Sequence, residues 1–432
     1  MMRRLNVYEA VQKRLKLVFD NFDYVYVSFS GGKDSGVLLN LCVEYIRRNL
    51  PGRKLGVLHL DYEAQYSQTT EYVAARLEED RDILEVYHCC VPFKVTTCTS
   101  MYQSYWRPWE ESKRELWVRN MPENCYTAND FSFFSEGLWD YDFHGLFAQW
   151  LRQRKRARRI CCLIGIRTQE SYNRWRTIHS SRNYRHFGSA KWVRMMGGNM
   201  FNAYPIYDWK TSDIWTANGK FRWRYNRLYD LYYQAGIPLG RQRVASPFIS
   251  QALSTLSVYK AVDPDTWGRM VSRVNGVNFA GIYGNTFAMG WKSIKCPAGF
   301  SWKQYMEFLL GTLPEETARN YRDKLRLSIR FWRERGGCLS EETISKLRDR
   351  NIPFKVGGIS AYRTDKQPVR MEYLDDIDIP EFREIPTYKR MCICILKNDH
   401  ACKYMGFALT KKERLLKEKV MKKYRSLSND KI

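Results

Sequence analysis

Six consecutive residues, Ser30-Gly31-Gly32-Lys33-Asp34-Ser35, follow the β-branched and aromatic run Tyr24–Ser28 and precede a segment, 37–48, that is apolar through its first half. A strand, a glycine-rich turn and a packed helix in that order make a device for holding an anion. Gly31 and Gly32 can take backbone angles closed to other residues and let phosphate oxygens come close. Their N–H groups can form an anion nest, and the helix adds its positive N-terminal end. Ser30 and Ser35 offer hydroxyls, and Lys33 offers a mobile charge for pyrophosphate. Asp34 can orient Lys33 or help hold Mg²⁺. The spacing G-x-x-x-x-G-K-[ST] is absent, which disfavours a P-loop kinase or GTPase.

The segments around this turn alternate. Leu55–Leu60 reads as a second buried strand ending at Asp61, 69–79 as a helix, 83–91 as a third strand and 160–166 as a later one. Strands alternating with helices imply right-handed crossovers, hence an α/β fold with a mainly parallel, doubly wound sheet. Residues 95–150 break the rhythm with Trp, Tyr and Phe and read as an aromatic-rich insertion over the sheet. Composition shifts again near residue 250. Residues 1–250 are therefore expected to form the nucleotide-binding domain and 251–432 a mostly helical C-terminal module, with helices at 315–335 and 411–425.

The formal net charge is +25, and residues 151–200 hold thirteen Lys or Arg against one acidic residue, Glu170. Such a field attracts polyanions: a nucleotide, a nucleic acid or an acidic partner. The run at 153–159, QRKRARR, is either a DNA or RNA contact or a solvated helix face. The first residues read as an amphipathic helix and not as a signal peptide, and no apolar run reaches the roughly 18 residues of a membrane span. The expectation is a cytoplasmic protein without membrane contact. The twelve cysteines lack the even framework of a small secreted domain.

Further motifs follow in order. Asp61-Tyr62-Glu63 sits at the carboxyl end of the second strand, with Thr69-Thr70 beyond it. Gly165-Ile166-Arg167-Thr168-Gln169-Glu170-Ser171 is followed by Arg174, and arginine forks suit phosphate or sulfate. Then come Tyr204-Pro205-Ile206-Tyr207-Asp208-Trp209 with Asp213-Ile214-Trp215, and Tyr225-Asn226-Arg227-Leu228-Tyr229. With the phosphate loop, these resemble the pyrophosphate-loop superfamily, meaning the N-type ATP pyrophosphatases and the phosphoadenosine phosphosulfate (PAPS) reductases, over about residues 20–250. The resemblance implies an adenine nucleotide alpha hydrolase-like fold. It implies an adenine nucleotide such as ATP, with Mg²⁺, on Ser30, Gly31, Gly32, Lys33, Asp34, Ser35, Glu170 and Ser171. Lys33, Asp61, Arg167 and Arg174 become the candidate catalytic residues. The family usually has Asp-Thr-Gly where this chain has Asp61-Tyr62-Glu63, so the Asp is kept and the Thr-Gly pair lost.

The chain departs from the reductases in its cysteines. It ends without their E-C-G-L-H tail, and residues 240–247 carry no cysteine, so no iron–sulfur cluster is expected there. Cys392, Cys394, His400 and Cys402 are candidate metal ligands, although MCICIL also reads as a buried strand whose cysteines pack in the core; redox use is the third alternative. Residues 395–407 resemble the tail of a PAPS-reductase-like subgroup with an extra C-terminal domain, including immunoglobulin-binding regulator A. That resemblance implies a ParB-like partner protein. The leading expectation is an enzyme that cleaves ATP between the α and β phosphates to adenylate an acceptor. The alternatives are a nucleotide-sensing regulator associated with DNA and an atypical PAPS reductase.

Overall fold

The computed structural model describes residues 5–179, 185–249, 252–284, 294–357 and 366–407. The helix expected at 411–425 lies outside them. The chain divides into two compact units: residues 1–95, 107–247 and 258–273 form the first, and 96–106, 248–257 and 274–432 the second.

The first unit is built on a seven-stranded sheet. Its strands are β1 Tyr24–Ser28, β2 Leu55–Leu60, β3 Leu84–Cys89, β4 Ile160–Ile164, β5 His186–Phe187, β6 Ala190–Gly197 and β7 Met200–Ala203, in the spatial order β3-β2-β1-β4-β7-β6-β5. The pairs from β3 through β4 to β7 are parallel, and β6 and β5 add antiparallel edges. The mainly parallel α/β sheet follows from the sequence for a physical reason. β2 is buried at every position, and β1 is buried at its three central residues, as strands covered on both faces require. Helix α1, Val7–Asn21, starts with a capping box between Asn6 and Glu9 and buries Val11, Leu15, Val18 and Phe19. Helix α2, Lys33–Asn49, runs through the core with Val37 to Leu39, Leu41 and Ile46 nearly inaccessible. Helix α3, Ser67–Glu79, follows β2.

The aromatic segment is partly irregular and partly helix. Residues 140–150 belong to helix α4, Asp140–Arg154, a crossover between β3 and β4. Its Phe147 meets Tyr26 and Tyr87 of the sheet. The basic run at 153–159 straddles the end of α4 and the turn into β4, with Arg156 at positive φ, so it is not one helix face. Helices α5 Tyr172–His179, α6 Thr211–Phe221, α7 Leu228–Gln234 and α8 Pro264–Arg273 also belong to the unit, with a single helical turn at Tyr259–Val262 before α8.

The second unit is mostly helical: α9 Val277–Tyr283, α10 Trp302–Gly311, α11 Glu315–Glu334, α12 Glu341–Asp349 and α13 Tyr388–Leu396. A small antiparallel sheet joins β8 Gly337–Leu339, β9 Phe354–Val356 and β10 Gln367–Met371, with β10 in the centre. MCICIL is the core of helix α13 and not a strand. Thr387 caps the helix by accepting from the Arg390 N–H, and the run packs against α10 and α11. No helix among the described residues is long and apolar enough to cross a membrane.

Candidate functional site

The phosphate loop lies between the end of β1 and the first turn of α2, and three glycines make room for it. Gly31 has φ +74°, and a Cβ there would stand 2.7 Å from Val73 Cγ2. Gly165, just past β4, passes so near the loop that a Cβ would lie 3.0 Å from both the Asp34 carbonyl carbon and the Ser35 nitrogen. A Cβ on Gly32 would meet the Ser30 and Tyr229 hydroxyls, each at 3.3 Å. Ser30 and Ser35 are joined through their Oγ atoms at 3.1 Å, and the Ser35 hydroxyl donates to Gly32 O.

The first-turn N–H groups of α2 have no intrahelical acceptor. Lys33 N donates to the Tyr229 hydroxyl at 3.1 Å, so the other two first-turn amides are those of Asp34 and Ser35. Lys33 Nζ sits 3.1 Å from Asp34 Oδ2 and 5.3 Å from the Tyr229 ring centre. Burial pushes the Lys33 ammonium below its ordinary range, and the Asp34 carboxylate opposes this. Asn226 ties the loop from below: its side-chain amide donates to Gly31 O at 3.0 Å and to Thr69 Oγ1 at 2.9 Å.

Arg167 is 1% exposed. Its Nε donates to Asp34 Oδ1 at 2.6 Å, and Nη1 reaches Gln169 Oε1, Thr211 Oγ1 and Trp209 O. The sequence suggests an arginine presented to substrate, whereas the folded Arg167 is a buried brace for the loop. Glu170 pairs with Arg174, and Ser171 accepts from Arg174 N as a helix cap. Arg174 keeps partial exposure; burial and then the Arg243 charge hold its guanidinium below the usual range. Trp209 is core, Trp215 packs edge-on to Tyr225 and Tyr229, and Asp213 caps α6 by accepting from Lys210 N.

Asp61 is 1% exposed and engaged on all sides. Both of its carboxylate oxygens accept from Arg119 Nη2, Oδ2 makes a 2.8 Å bond with His88 Nε2, and Oδ1 accepts from the Glu63 N–H. Burial works against the charged form, but His88 and Arg119 outweigh it and hold the carboxyl well below the usual range. His59, Asp61 and His88 bring one donor atom each within 4.8 Å of one another. The Arg119 guanidinium already occupies the carboxylate, so we read the cluster as an ion-pair network. Asp34, held by Lys33 and Arg167, is likewise not free. Asp34, the carboxylate expected to help hold Mg²⁺, thus does not fit a protein-held ion.

Glu63 replaces the glycine of the related motif yet keeps a glycine-like backbone, with φ +63°. Its fully buried carboxylate accepts from Trp109 N, Val118 N and Arg273 Nε at 2.7, 3.0 and 2.9 Å. It anchors the aromatic segment to the sheet edge. Tyr229, Asn226, Arg119, His88 and Glu63 were not singled out as site residues by the sequence. Tyr229 and Asn226 had a signal in the 225–229 motif; the pairing of Arg119 with Asp61 had none.

Cys392, Cys394 and Cys402 are wholly buried in the core of the second unit, and His400 Nε2 bonds to Ser100 O at 3.1 Å. Among the described residues these four form no metal-ligand cluster.

Residues 24–236 match the family described as the phosphoadenosine phosphosulfate reductase domain, and residues 236–416 match a domain of unknown function, DUF3440. An Escherichia coli K12 protein, the uncharacterized protein YbdN, is 34% identical over 412 residues, covering 94% of this chain and 92% of its own. Among solved structures, a Candida auris phosphoadenylyl-sulfate reductase in a phosphate complex is 14% identical, covering 55% of this chain and 88% of its own with a TM-score of 0.31. A Candida glabrata FMN adenylyltransferase with FAD and inorganic pyrophosphate is also 14% identical, covering 52% and 59% with a TM-score of 0.31.

Proposed function

The chain belongs to the phosphoadenosine phosphosulfate reductase-like family, with a C-terminal DUF3440 domain, and from that premise we propose that it binds ATP and cleaves it between the α and β phosphates, adenylating an acceptor. The observation that carries the reading is the loop. The donors this reading assigns to the leaving pyrophosphate are the first-turn amides of Asp34 and Ser35 in α2 and the Lys33 ammonium, which sits beside Asp34 and over the Tyr229 ring. Donors fixed before reaction stabilise charge on a leaving group without reorganising. In this scheme the acceptor attacks the α-phosphorus, the bridging α–β P–O bond breaks, and the leaving oxygen's charge falls to Lys33 and the amides of Asp34 and Ser35. Arg167 and Asp61 are positioning residues: the first fixes Asp34, the second fixes the sheet edge. Arg174, partly exposed beside Glu170, is the residue this scheme assigns to the acceptor. Mg²⁺ arrives with the nucleotide as part of the substrate.

The test is incubation of the purified chain with α-labelled ATP and Mg²⁺, with and without cell extract. Label transfer or AMP with stoichiometric pyrophosphate, lost in Lys33→Ala, is expected. Products of γ-phosphate cleavage alone, or label transfer unchanged in Lys33→Ala, would remove the reading.

A further inference from the structure

Two cysteines outside the phosphate loop meet at the carboxyl edge of the sheet. In the parallel ladder, His59 stands opposite His88 and Leu60 opposite Cys89, and Asp61 N donates to Cys89 O. Residues two apart on a strand share a face, so His59, Asp61, His88 and Cys90 line one side. The aromatic segment adds one more rung there. Cys89 bridges Tyr126, Tyr126 N donates to His88 O at 2.7 Å, and Cys90 N donates to Tyr126 O at 2.8 Å. Cys125, the residue before Tyr126, is thereby set on the same side of the ladder as His88 and Cys90.

The two thiols are unequal. Cys90 is 1% exposed, whereas Cys125 is partly open. The Cys90 S–H donates to Cys125 and pulls its thiol down to about 7; His88 helps, while burial and Asp61 oppose. The same hydrogen bond, followed by burial, pushes the Cys90 thiol far up. Cys394 and Cys402 are both wholly buried. Cys42 and Cys161 are buried thiols pushed up by their surroundings. An accessible thiolate backed by a buried thiol is the arrangement that thiol–disulfide exchange needs: one sulfur to attack, a second to resolve.

We propose that Cys125 and Cys90 form a thiol–disulfide redox centre that reduces a low-molecular-weight disulfide, with Cys125 attacking and Cys90 resolving. The Cys125 thiolate attacks one sulfur of RSSR; the S–S bond breaks, RS⁻ leaves and a mixed disulfide forms on Cys125. Cys90 has then lost the thiolate that held its proton. It gives that proton to the departed RS⁻, attacks Cys125 Sγ and expels the second RS⁻. Two protein thiols lose two electrons, and the disulfide gains them as one RSH and one RS⁻. The centre needs no nucleotide, so its test is independent of the ATP reading.

The full chain is equilibrated in glutathione/glutathione disulfide buffers without ATP, quenched in acid, differentially alkylated and mapped by peptide mass spectrometry. A reversible Cys90–Cys125 disulfide is expected. Cys90→Ser should trap one glutathione on Cys125, and Cys125→Ser should leave Cys90 unmodified. In the reduced native chain at neutral pH, iodoacetamide should label Cys125 about tenfold faster than the half-exposed Cys296. Far-UV circular dichroism of both variants checks that the fold persists. Pairing of Cys125 with another cysteine, or no glutathione on Cys125 in a folded Cys90→Ser, would overturn the proposal. So would a stoichiometric metal that blocks alkylation of Cys125 until it is chelated.

Discussion

Tyr229 shows how a residue remote in sequence completes a local motif. The phosphate loop is legible because all six of its residues are contiguous, but the hydroxyl that takes the Lys33 N–H comes from a helix 196 positions away. Tyr229→Phe keeps the ring beside Lys33 and removes only that acceptor. The orphaned buried amide should weaken ATP binding by about 1–3 kcal/mol, read by calorimetry. Unchanged affinity would mean that the contact does not shape the loop. Glu63 carries the opposite lesson. The sequence shows the lost glycine of the Asp-Thr-Gly pattern but not that a carboxylate now sits in the left-handed region that favours glycine. Glu63→Gly relieves backbone strain of about 1–2 kcal/mol. It also removes the Glu63 carboxylate from the buried Arg273 guanidinium, which keeps Glu110 only at 3.9 Å, and breaking such a buried pair costs about 3–5 kcal/mol. The second effect is larger, so the variant should be less stable in urea denaturation. A variant more stable than the parent would show that backbone strain outweighs the ion pair.

At the scale of elements, the parallel strands were legible because burial on both faces leaves an unbroken apolar run, as in LGVLHL. The same logic fails on MCICIL. A short apolar run has no decisive period, and Cys392 and Cys394, two apart, suggest a shared strand face. The helix signal lay outside the run, in Thr387 as N-cap and Asn398 at positive φ just past the end. Close approach between elements is harder still to read, because it concerns space and not pattern. Gly165 belongs to the arginine motif, yet its structural use is to let the end of β4 lie against the loop backbone. Gly165→Ala would put a methyl 3.0 Å from the Asp34 and Ser35 backbone. It should displace the loop and lower ATP affinity at least tenfold, about 1.4 kcal/mol. Gly145→Ala, inside α4 with nothing within 4 Å of the new carbon, is the control. It should raise stability by roughly 0.5–1 kcal/mol and leave binding alone. Equal ATP affinity in both variants would sink the packing argument.

For the molecule as a whole, net charge proved a coarse guide. The sequence shows that residues 151–200 are overwhelmingly basic, and it cannot show how many of those charges are already taken up. Lys155 pairs with Glu85, Arg167 with Asp34 and Arg174 with Glu170, while Arg154 and Arg159 lie over Trp150 and Phe187. Buried ionisable groups leave a clearer global signature, in stability against pH. His59 is 2% exposed, its Nδ1 lies 2.8 Å from Phe29 O, and burial, then the neighbouring His88, push its imidazole down to about 4. An unfolded histidine titrates near 6.5. Between those values the unfolded chain binds a proton that the folded chain refuses, so stability rises with pH across the window. The contribution is complete above about pH 6.5 and is lost as pH falls toward 4, an integrated effect of about 3 kcal/mol. Asp61 acts in the same direction but only below the ordinary carboxylate range, so the two windows separate. His59→Asn keeps an N–H donor for Phe29 O and removes the titration. Urea midpoints measured from pH 7.5 to 4.5 should fall more steeply for the parent chain than for the variant. Parallel curves would mean that His59 is protonated in the folded state, and the neutral, buried imidazole assigned beside Asp61 would have to be abandoned.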